Sequence, residues 1–147
     1  MAVLDWTSDL DTGVYEIDLQ HRSLVNIANQ LHDAIRAGRA GRTVEWMLEE
    51  LALYTRFHFE TEESYMRRYG LDGLQQHRIE HAELLSAIKR FRRKLKAGDE
   101  RVQDDVLEFL SGWLEKHLRG ADRELGLEVR AAMNRLPSKP RTRKKPA

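Results

Sequence analysis

Apolar residues recur at three- and four-residue intervals in four long segments of the chain, and this spacing is typical of amphipathic α-helices. The segments cover about residues 17–37, 43–69, 74–97 and 102–120, and a shorter amphipathic segment follows at 125–136. Connections of a few residues between long helices favour antiparallel neighbours. The pattern therefore predicts an all-α fold: an antiparallel up-down-up-down four-helix bundle with an N-terminal arm and a short C-terminal helix.

Six polar residues lie on the apolar stripes of these segments and are expected to face the core: His21, His58, Glu62, His77, His81 and His117. Two pairs among them are four residues apart, so each pair shares one helical face. The six positions alternate between the starts and the ends of successive segments, and in an antiparallel bundle these meet at one end. Because neutral imidazole is the commonest biological metal ligand, the pattern predicts a buried metal site there.

Asp122 is a further metal-competent residue, five positions after His117. Residues five apart do not share a face of a continuous α-helix, because 3.6 residues complete one turn. Gly120 lies between the two and is expected to end the fourth helix, so that the chain can turn back. The sequence thus predicts an inward-pointing Asp122 that follows a helix break.

A single core-facing histidine is more often a hydrogen-bonded structural residue than a ligand. His32 is assigned that structural role, because it lies about 16 Å from His21 along the helix axis. Glu60 and Glu63 are assigned to the solvated or salt-bridging surface, with contact to a ligand left open for Glu63. Five histidines that converge with two carboxylates favour a metal site, because seven buried ionisable groups would otherwise need seven partners.

The composition sets outer bounds on fold and location. The 147 residues suit one domain, predicted at residues 1–136, and the absence of cysteine excludes disulfides and thiolate ligands. A secretory signal or an apolar run long enough to span a membrane is not recognisable, so a cytoplasmic location is expected. Residues 137–147 hold five basic residues, three prolines and no acidic residue, and are predicted to form a disordered tail. Weak contacts of this tail with anionic partners stay open, but no nucleic-acid function is expected.

Three motifs and the N-terminal segment around Trp6, Gly13-Val14 and Ile17-Asp18-x-Gln20-His21 resemble hemerythrins of the single-domain bacterial type. The motifs are His58-Phe59-Glu60-Thr61-Glu62-Glu63, His77-x-x-x-His81 and Trp113-Leu114-x-x-His117-x-x-x-x-Asp122. The resemblance implies a non-haem di-iron centre, bridged by an oxo or hydroxo group, that binds O₂ reversibly. It further implies one iron on His77, His81 and His117, the other on His21 and His58, and bridges from Glu62 and Asp122.

Two six-coordinate ions offer twelve positions, and this ligand set with one bridging solvent oxygen fills eleven. The vacancy falls on the ion with two histidines, where a small ligand can bind. Neutral terminal ligands favour reversible O₂ binding over O₂ cleavage, in contrast to glutamate-rich di-iron sites. An apolar wall that excludes water is predicted from four residues: Phe59, Trp113, Leu114 and Leu118.

The predicted function is carriage, storage or local supply of O₂, without enzymatic turnover, and an oxygen-consuming protein is a candidate partner. The first alternative is an O₂- or redox-sensing module that signals to a partner, although such modules are usually fused to an output domain. The second alternative is an enzyme that acts on NO or peroxide at the same site. Zinc or copper would exceed Fe(II) in affinity for a nitrogen-rich site, so ligand type does not fix the metal.

Overall fold

The computed structural model describes residues 3–99 and 101–135. Within these ranges the chain forms five α-helices: α1 (Tyr15–Arg36), α2 (Gly41–Arg68), α3 (Leu74–Lys96), α4 (Val102–His117) and α5 (Arg123–Arg135). A 3₁₀ turn at Ser8–Leu10 precedes them, and a π-helical turn at Leu118–Asp122 joins α4 to α5. The predicted basic tail, residues 137–147, lies outside the described residues. No helix in the described ranges is long and apolar enough to cross a membrane.

The first three helices end in the same way, each at a glycine. Gly38, Gly70 and Gly98 all have positive φ angles, a conformation that glycine adopts without steric cost. After α1, for example, the N–H of Arg39 donates to the carbonyl of Ala34 over 3.0 Å. This six-residue hydrogen bond defines the Schellman motif and satisfies a carbonyl that the helix end would leave free. The short connections that result place consecutive helices side by side.

The four long helices pack as an antiparallel bundle, as the sequence predicts. Helix α1 packs against α2 and α4, and α3 packs against the same two neighbours. Successive helices therefore run in opposite directions around one shared core. The short helix α5 contacts α2 and lies at the end of the bundle where α1 and α3 begin.

The end of α4 differs from the prediction. Gly120 does not break the helix: α4 continues through the π-helical turn directly into α5, and the φ angle of Gly120 is not positive. A π-helical turn closes a wider ring than an α-helical turn, so it accommodates one extra residue per turn. The inward direction of Asp122 therefore has a different cause from the one predicted from sequence.

The N-terminal arm packs against α1 and α5 through polar contacts at close range. The carboxylate of Asp18 accepts hydrogen bonds from the backbone N–H groups of Thr12 and Gly13, at 2.7 and 3.0 Å. Gly126 of α5 lies against the same segment, and a Cβ atom there would approach the Thr12 carbonyl oxygen to 2.4 Å. The glycine thus permits a contact between two backbones that no larger residue would allow.

A buried polar layer separates two apolar clusters in the bundle. The larger cluster includes Leu24, Phe59 and Leu118, and the smaller one is formed by Val14, Ile17, Met66, Leu125 and Val129. Along α1 and α2, the nearest buried members of the two clusters are seven residues apart, which is about two helical turns. Three of the predicted ligands lie between the clusters along the chain, namely His21, Glu62 and Asp122, and all three are buried.

Candidate metal centre

All seven predicted ligands lie together at the end of the bundle, and each is at most 4% exposed: His21, His58, Glu62, His77, His81, His117 and Asp122. Their donor atoms form two groups in which all atoms lie within 4.8 Å of one another. One group contains His77, His81 and His117, the other contains His21 and His58, and both carboxylates belong to both groups. We call them the three-histidine group and the two-histidine group.

Glu62 spans the two groups with its two carboxylate oxygens. Its Oε1 atom lies 3.1 Å from His77 Nε2 and 3.0 Å from His81 Nε2. Its Oε2 atom lies 2.8 Å from the Nε2 atoms of both His21 and His58. Each oxygen therefore faces a different set of imidazoles.

Asp122 divides its oxygens in the same way from the opposite side. Its Oδ1 atom lies 3.0 Å from the Nε2 atoms of His77 and His117. Its Oδ2 atom lies 3.0 Å from His21 Nε2. Each carboxylate thus directs one oxygen to the three-histidine group and the other to the two-histidine group. This is the arrangement needed to bridge a pair of metal ions.

The protonation states of the imidazoles and carboxylates in the cluster depend on one another. Burial alone would lower the pKa of His21 and His77, but the carboxylates of Asp122 and Glu62 outweigh it and raise the pKa of both imidazoles to about 10. Burial also disfavours the carboxylate form of Glu62 and Asp122, yet the surrounding imidazoles hold the pKa of both well below its usual value. Protons on imidazoles thus balance the carboxylates in the absence of a cation. A divalent ion would replace those protons.

The donor atoms of the cluster fit metal ions better than they fit one another. His58 Nε2, His117 Nε2 and Asp122 Oδ2 are buried, and none of them has a hydrogen-bond partner among the residues that the structure describes. Nε2 of His58 lies 2.8 Å from a Glu62 oxygen, but not in hydrogen-bonding geometry. Buried polar atoms of folded proteins are almost always satisfied, and metal ions at the two groups would satisfy these. Imidazole nitrogen and carboxylate oxygen are suitable donors for iron and other first-row transition metals.

Three of the five imidazoles are oriented by hydrogen bonds on their outer edges. The Nδ1–H groups donate to side-chain oxygens at 2.8 to 2.9 Å: His58 to Gln20, His81 to Glu63 and His117 to Glu80. A donating Nδ1–H leaves the lone pair on Nε2, which faces the cluster in all three cases. The outer partners therefore hold each ring in the tautomer that can bind a metal ion.

The sequence left contact with a ligand open for one of these partners and indicated no role for the other two. Glu63 is 18% exposed and makes that contact with His81; Glu60 is exposed as predicted. Gln20 was named only as part of the N-terminal segment, and Glu80 was not singled out. A usable signal was their position, because each directly precedes a core-facing histidine and so lies at the edge of the buried helix face.

The residues predicted to form an apolar wall pack mainly beside the three-histidine group. The Phe59 ring stacks on His81 with a centroid distance of 3.6 Å, and the Trp113 ring stacks on His117 at 4.4 Å. Leu114 and Leu118 are buried on either side of His117 in the sequence. Phe59 and Trp113 thus fix ligand rings, and the role of the four residues in an O₂ pocket stays a prediction.

His32 is separate from this centre, as the sequence predicts. Its side chain is 11% exposed, and its Nδ1 atom lies 3.2 Å from the carboxylate of Asp33. It belongs to neither group of donor atoms.

Comparisons with known proteins agree with the geometry. The family model of the hemerythrin HHE cation binding domain matches residues 12–126. Bacteriohemerythrin of Pseudomonas aeruginosa (strain LESB58) is 35% identical over 136 residues, which are 92% of this chain and 88% of the relative. The bacteriohemerythrin of Methylococcus capsulatus is 30% identical over 127 residues, which are 86% and 96% of the two chains. A crystal structure of wild-type hemerythrin superimposes with a TM-score of 0.78 at 29% identity, over 87% of this chain and 98% of the other. The chain therefore belongs to the hemerythrin family.

Proposed function

We propose that the chain binds O₂ reversibly at a non-haem di-iron centre held by the seven residues of the buried cluster. The observation that carries the proposal is the division of the carboxylate oxygens, in which Glu62 and Asp122 each turn one oxygen to either group of imidazoles. Such bridges hold two ions close together. In this assignment His77, His81 and His117 bind one iron, and His21 and His58 bind the other.

The number of donors supports an asymmetric pair. The three-histidine group provides five donors, namely three imidazole nitrogens and one oxygen from each carboxylate. The two-histidine group provides four donors, so a six-coordinate ion there has one position more to fill from solvent or a small ligand. A ferrous pair held by these residues would supply the electrons that O₂ binding requires, and the two-histidine group would leave room for O₂ beside its ion.

The surrounding residues support binding rather than turnover. The imidazoles are the terminal ligands, and those of His58, His81 and His117 are held by Gln20, Glu63 and Glu80. Glu63 and Glu80 accept hydrogen bonds from ligand rings as carboxylates, so neither is a free proton donor at the centre. Leu114 and Leu118 flank His117 in the sequence and are buried, and in this proposal their side chains would exclude water from the centre. We therefore favour carriage, storage or local supply of O₂ over an enzymatic reaction. The sensing alternative depends on a partner and is not favoured by any contact of the described residues.

The proposal is tested by stoichiometry. Protein purified with iron and reduced anaerobically should contain about two irons per chain and take up about one O₂ per iron pair. The same titration with a zinc-loaded sample serves as a control, because zinc has no electrons to share with O₂. Protein that holds a single iron, or an iron pair that takes up no O₂, would contradict the proposal.

A further inference from the structure

An open groove of about 480 Å³ lies against the candidate metal centre, between the start of α3, the π-helical turn and α5. Its lining includes Gln76, His77, Glu80, Glu124 and Glu128. Three of these five residues are acidic, and neither lysine nor arginine is part of the lining. The groove is therefore a concave surface of negative charge that ends at one of the predicted ligands.

His77 forms the inner wall of this groove. Its side chain is 5% exposed, and its Nε2 atom faces inward, at 3.1 Å from Glu62 Oε1 and 3.0 Å from Asp122 Oδ1. The other ring nitrogen, Nδ1, has no hydrogen-bond partner within residues 3–99 and 101–135, unlike the Nδ1 atoms of His58, His81 and His117. Among the described residues, this Nδ1 atom is not one of the buried unpaired polar atoms, so it is accessible to solvent from the groove that His77 lines. The groove thus leads to a ligand ring that no side chain covers on its outer edge.

The acidic side chains of the groove are available to attract a cation. Glu124 and Glu128 are exposed and four residues apart on one face of α5. Neither forms an ion pair with any residue in the described part of the chain. Glu80 accepts a hydrogen bond from His117 through Oε1 and is one-third exposed. Clefts with charges of one sign concentrate the opposite ion and raise association rates.

A second groove reaches the cluster at His81 and provides an internal comparison. It has a volume of about 450 Å³, and its lining includes Arg56, Arg67 and Arg78. Phe59 stacks on the face of the His81 ring, and the carboxylate of Glu63 accepts a hydrogen bond from its outer nitrogen. Glu60 and Glu63 also line this second groove, so its three positive and two negative side chains give it no excess of negative charge. It therefore does not concentrate cations as the first groove does, and its ligand ring is covered on the outer edge.

We propose that the acidic groove at His77 is the route by which divalent metal ions reach the centre. The inference rests on the metal centre of the proposed function and adds how that centre is filled. Glu124 and Glu128 attract the hydrated ion at the mouth, and Glu80 and the Gln76 amide oxygen offer oxygen donors further in. The His77 ring lies at the inner end.

The test is the rate at which metal-free protein takes up Co²⁺, whose visible absorption reports nitrogen coordination. The double variant Glu124→Gln/Glu128→Gln should load roughly three to ten times more slowly than the unmodified protein at low ionic strength. Glu124→Lys/Glu128→Lys should load more slowly still, and both differences should shrink at about 1 M salt, where charges are screened within about 3 Å. The final metal content should be unchanged, because neither residue touches the cluster. The control Glu60→Gln/Glu108→Gln removes the same number of exposed carboxylates outside the acidic groove and should load at the unmodified rate.

The outcomes distinguish a failure of the proposed entry route from a failure of the proposed metal centre. If the unmodified protein takes up no Co²⁺, both this inference and the proposed metal centre fail. If every variant fills to the same content as the unmodified protein and at the same rate, the route fails and the centre stands. If Glu60→Gln/Glu108→Gln slows loading as much as Glu124→Gln/Glu128→Gln, the slowing comes from the net charge of the protein, and the route is also overturned.

Discussion

His117 and Asp122 are five residues apart in sequence, yet His117 Nε2 lies 3.0 Å from Asp122 Oδ1. On an α-helix a residue at this spacing would point well away from its partner, because 3.6 residues complete a turn. The π-helical turn Leu118–Asp122 places both side chains on the inner face. Single π-helical turns within α-helices are frequent at functional sites, and here the turn directs the second bridging carboxylate to both groups of imidazoles.

Replacing this bridge should affect both metal positions together. We expect Asp122→Ala to lower the iron content to about one per chain or less, because the carboxylate faces both the three-histidine and the two-histidine group. The measurement is metal analysis of protein purified with iron, with helix content checked by circular dichroism. Glu108→Ala, which removes an exposed carboxylate from α4, should leave the iron content unchanged. Loss of the same amount of iron from both variants would show that the bridge has no special role.

The bundle, the alternating directions of its helices and the six converging residues on the apolar stripes could be predicted from the sequence, because they depend on local periodicity and short connections. Gly38, Gly70 and Gly98 end their helices, and antiparallel packing then brings distant histidines to one end. Asp122 was expected to point inward, but because of a helix break that the structure does not contain. The π-helical turn could not be predicted in this way. A helix break and a widened turn both place Asp122 inward, and Gly120 is compatible with either.

The hydrogen bonds around the ligands were less accessible to sequence reasoning for a different reason. Glu63 follows the ligand Glu62, and its carboxylate reaches across to His81 on the neighbouring helix. Gln20 reaches from α1 to His58 on α2, and Glu80 reaches from α3 to His117 on α4. Contacts between helices depend on the rotation of each helix about its own axis. Apolar spacing defines that rotation too coarsely to identify individual partners.

Removal of the metal should destabilise the protein. Ions that bind the folded chain alone stabilise it by mass action, by about 4 kcal/mol at a free concentration one thousand times the Kd. For a chain of this length that corresponds to a drop in Tm of about 8 to 16 °C when iron is extracted by a chelator under reducing conditions. The check is thermal unfolding of the metal-free and iron-loaded forms in one buffer. Equal Tm values would contradict a shared cluster of ligands.

The metal-free protein should also lose stability at alkaline pH. His21 and His77 have their pKa raised to about 10 in the folded protein, from an ordinary value of 6.5. Groups with a raised pKa contribute stability that is complete below the unfolded pKa and is lost as the pH rises through the folded one. The free energy of unfolding of the metal-free form should therefore fall between about pH 6.5 and 10.

The carboxylates limit the stability of the metal-free protein at acidic pH, and bound metal should prevent the loss of stability at alkaline pH. The pKa of Glu62 and of Asp122 is lowered, so their contribution is present above the ordinary carboxyl pKa and is lost as the pH falls below it. Iron replaces the imidazole protons, so the loaded protein should keep its stability up to about pH 9. Denaturant unfolding of both forms across pH 4 to 10 tests this. A metal-free protein that is equally stable at pH 6 and pH 9.5 would contradict the raised pKa of His21 and His77.

Leu114 should protect the bound O₂ rather than hold iron. It is 2% exposed and lies three residues before His117 on α4. Leu114→Ala should keep the iron content, because no ligand is changed, but admit water and speed autoxidation by about tenfold or more. Leu107→Ala creates a comparable cavity in α4 far from the cluster, so it controls for the 2–5 kcal/mol cost of such truncations. Stopped-flow mixing of the reduced variants with oxygenated buffer measures the rates, and identical decay in both variants would exclude a protective role.

Reversibility is the central claim, and the optical spectrum of the anaerobically reduced protein tests it most directly. The spectrum is recorded before air is added, after air is added, and again after the air is replaced by argon. We predict that a visible absorption band forms with O₂, disappears under argon, and returns with little loss over repeated cycles. Direct conversion to an oxidised form that argon does not reverse, or continuous consumption of O₂ in the presence of a reductant, would contradict reversible binding.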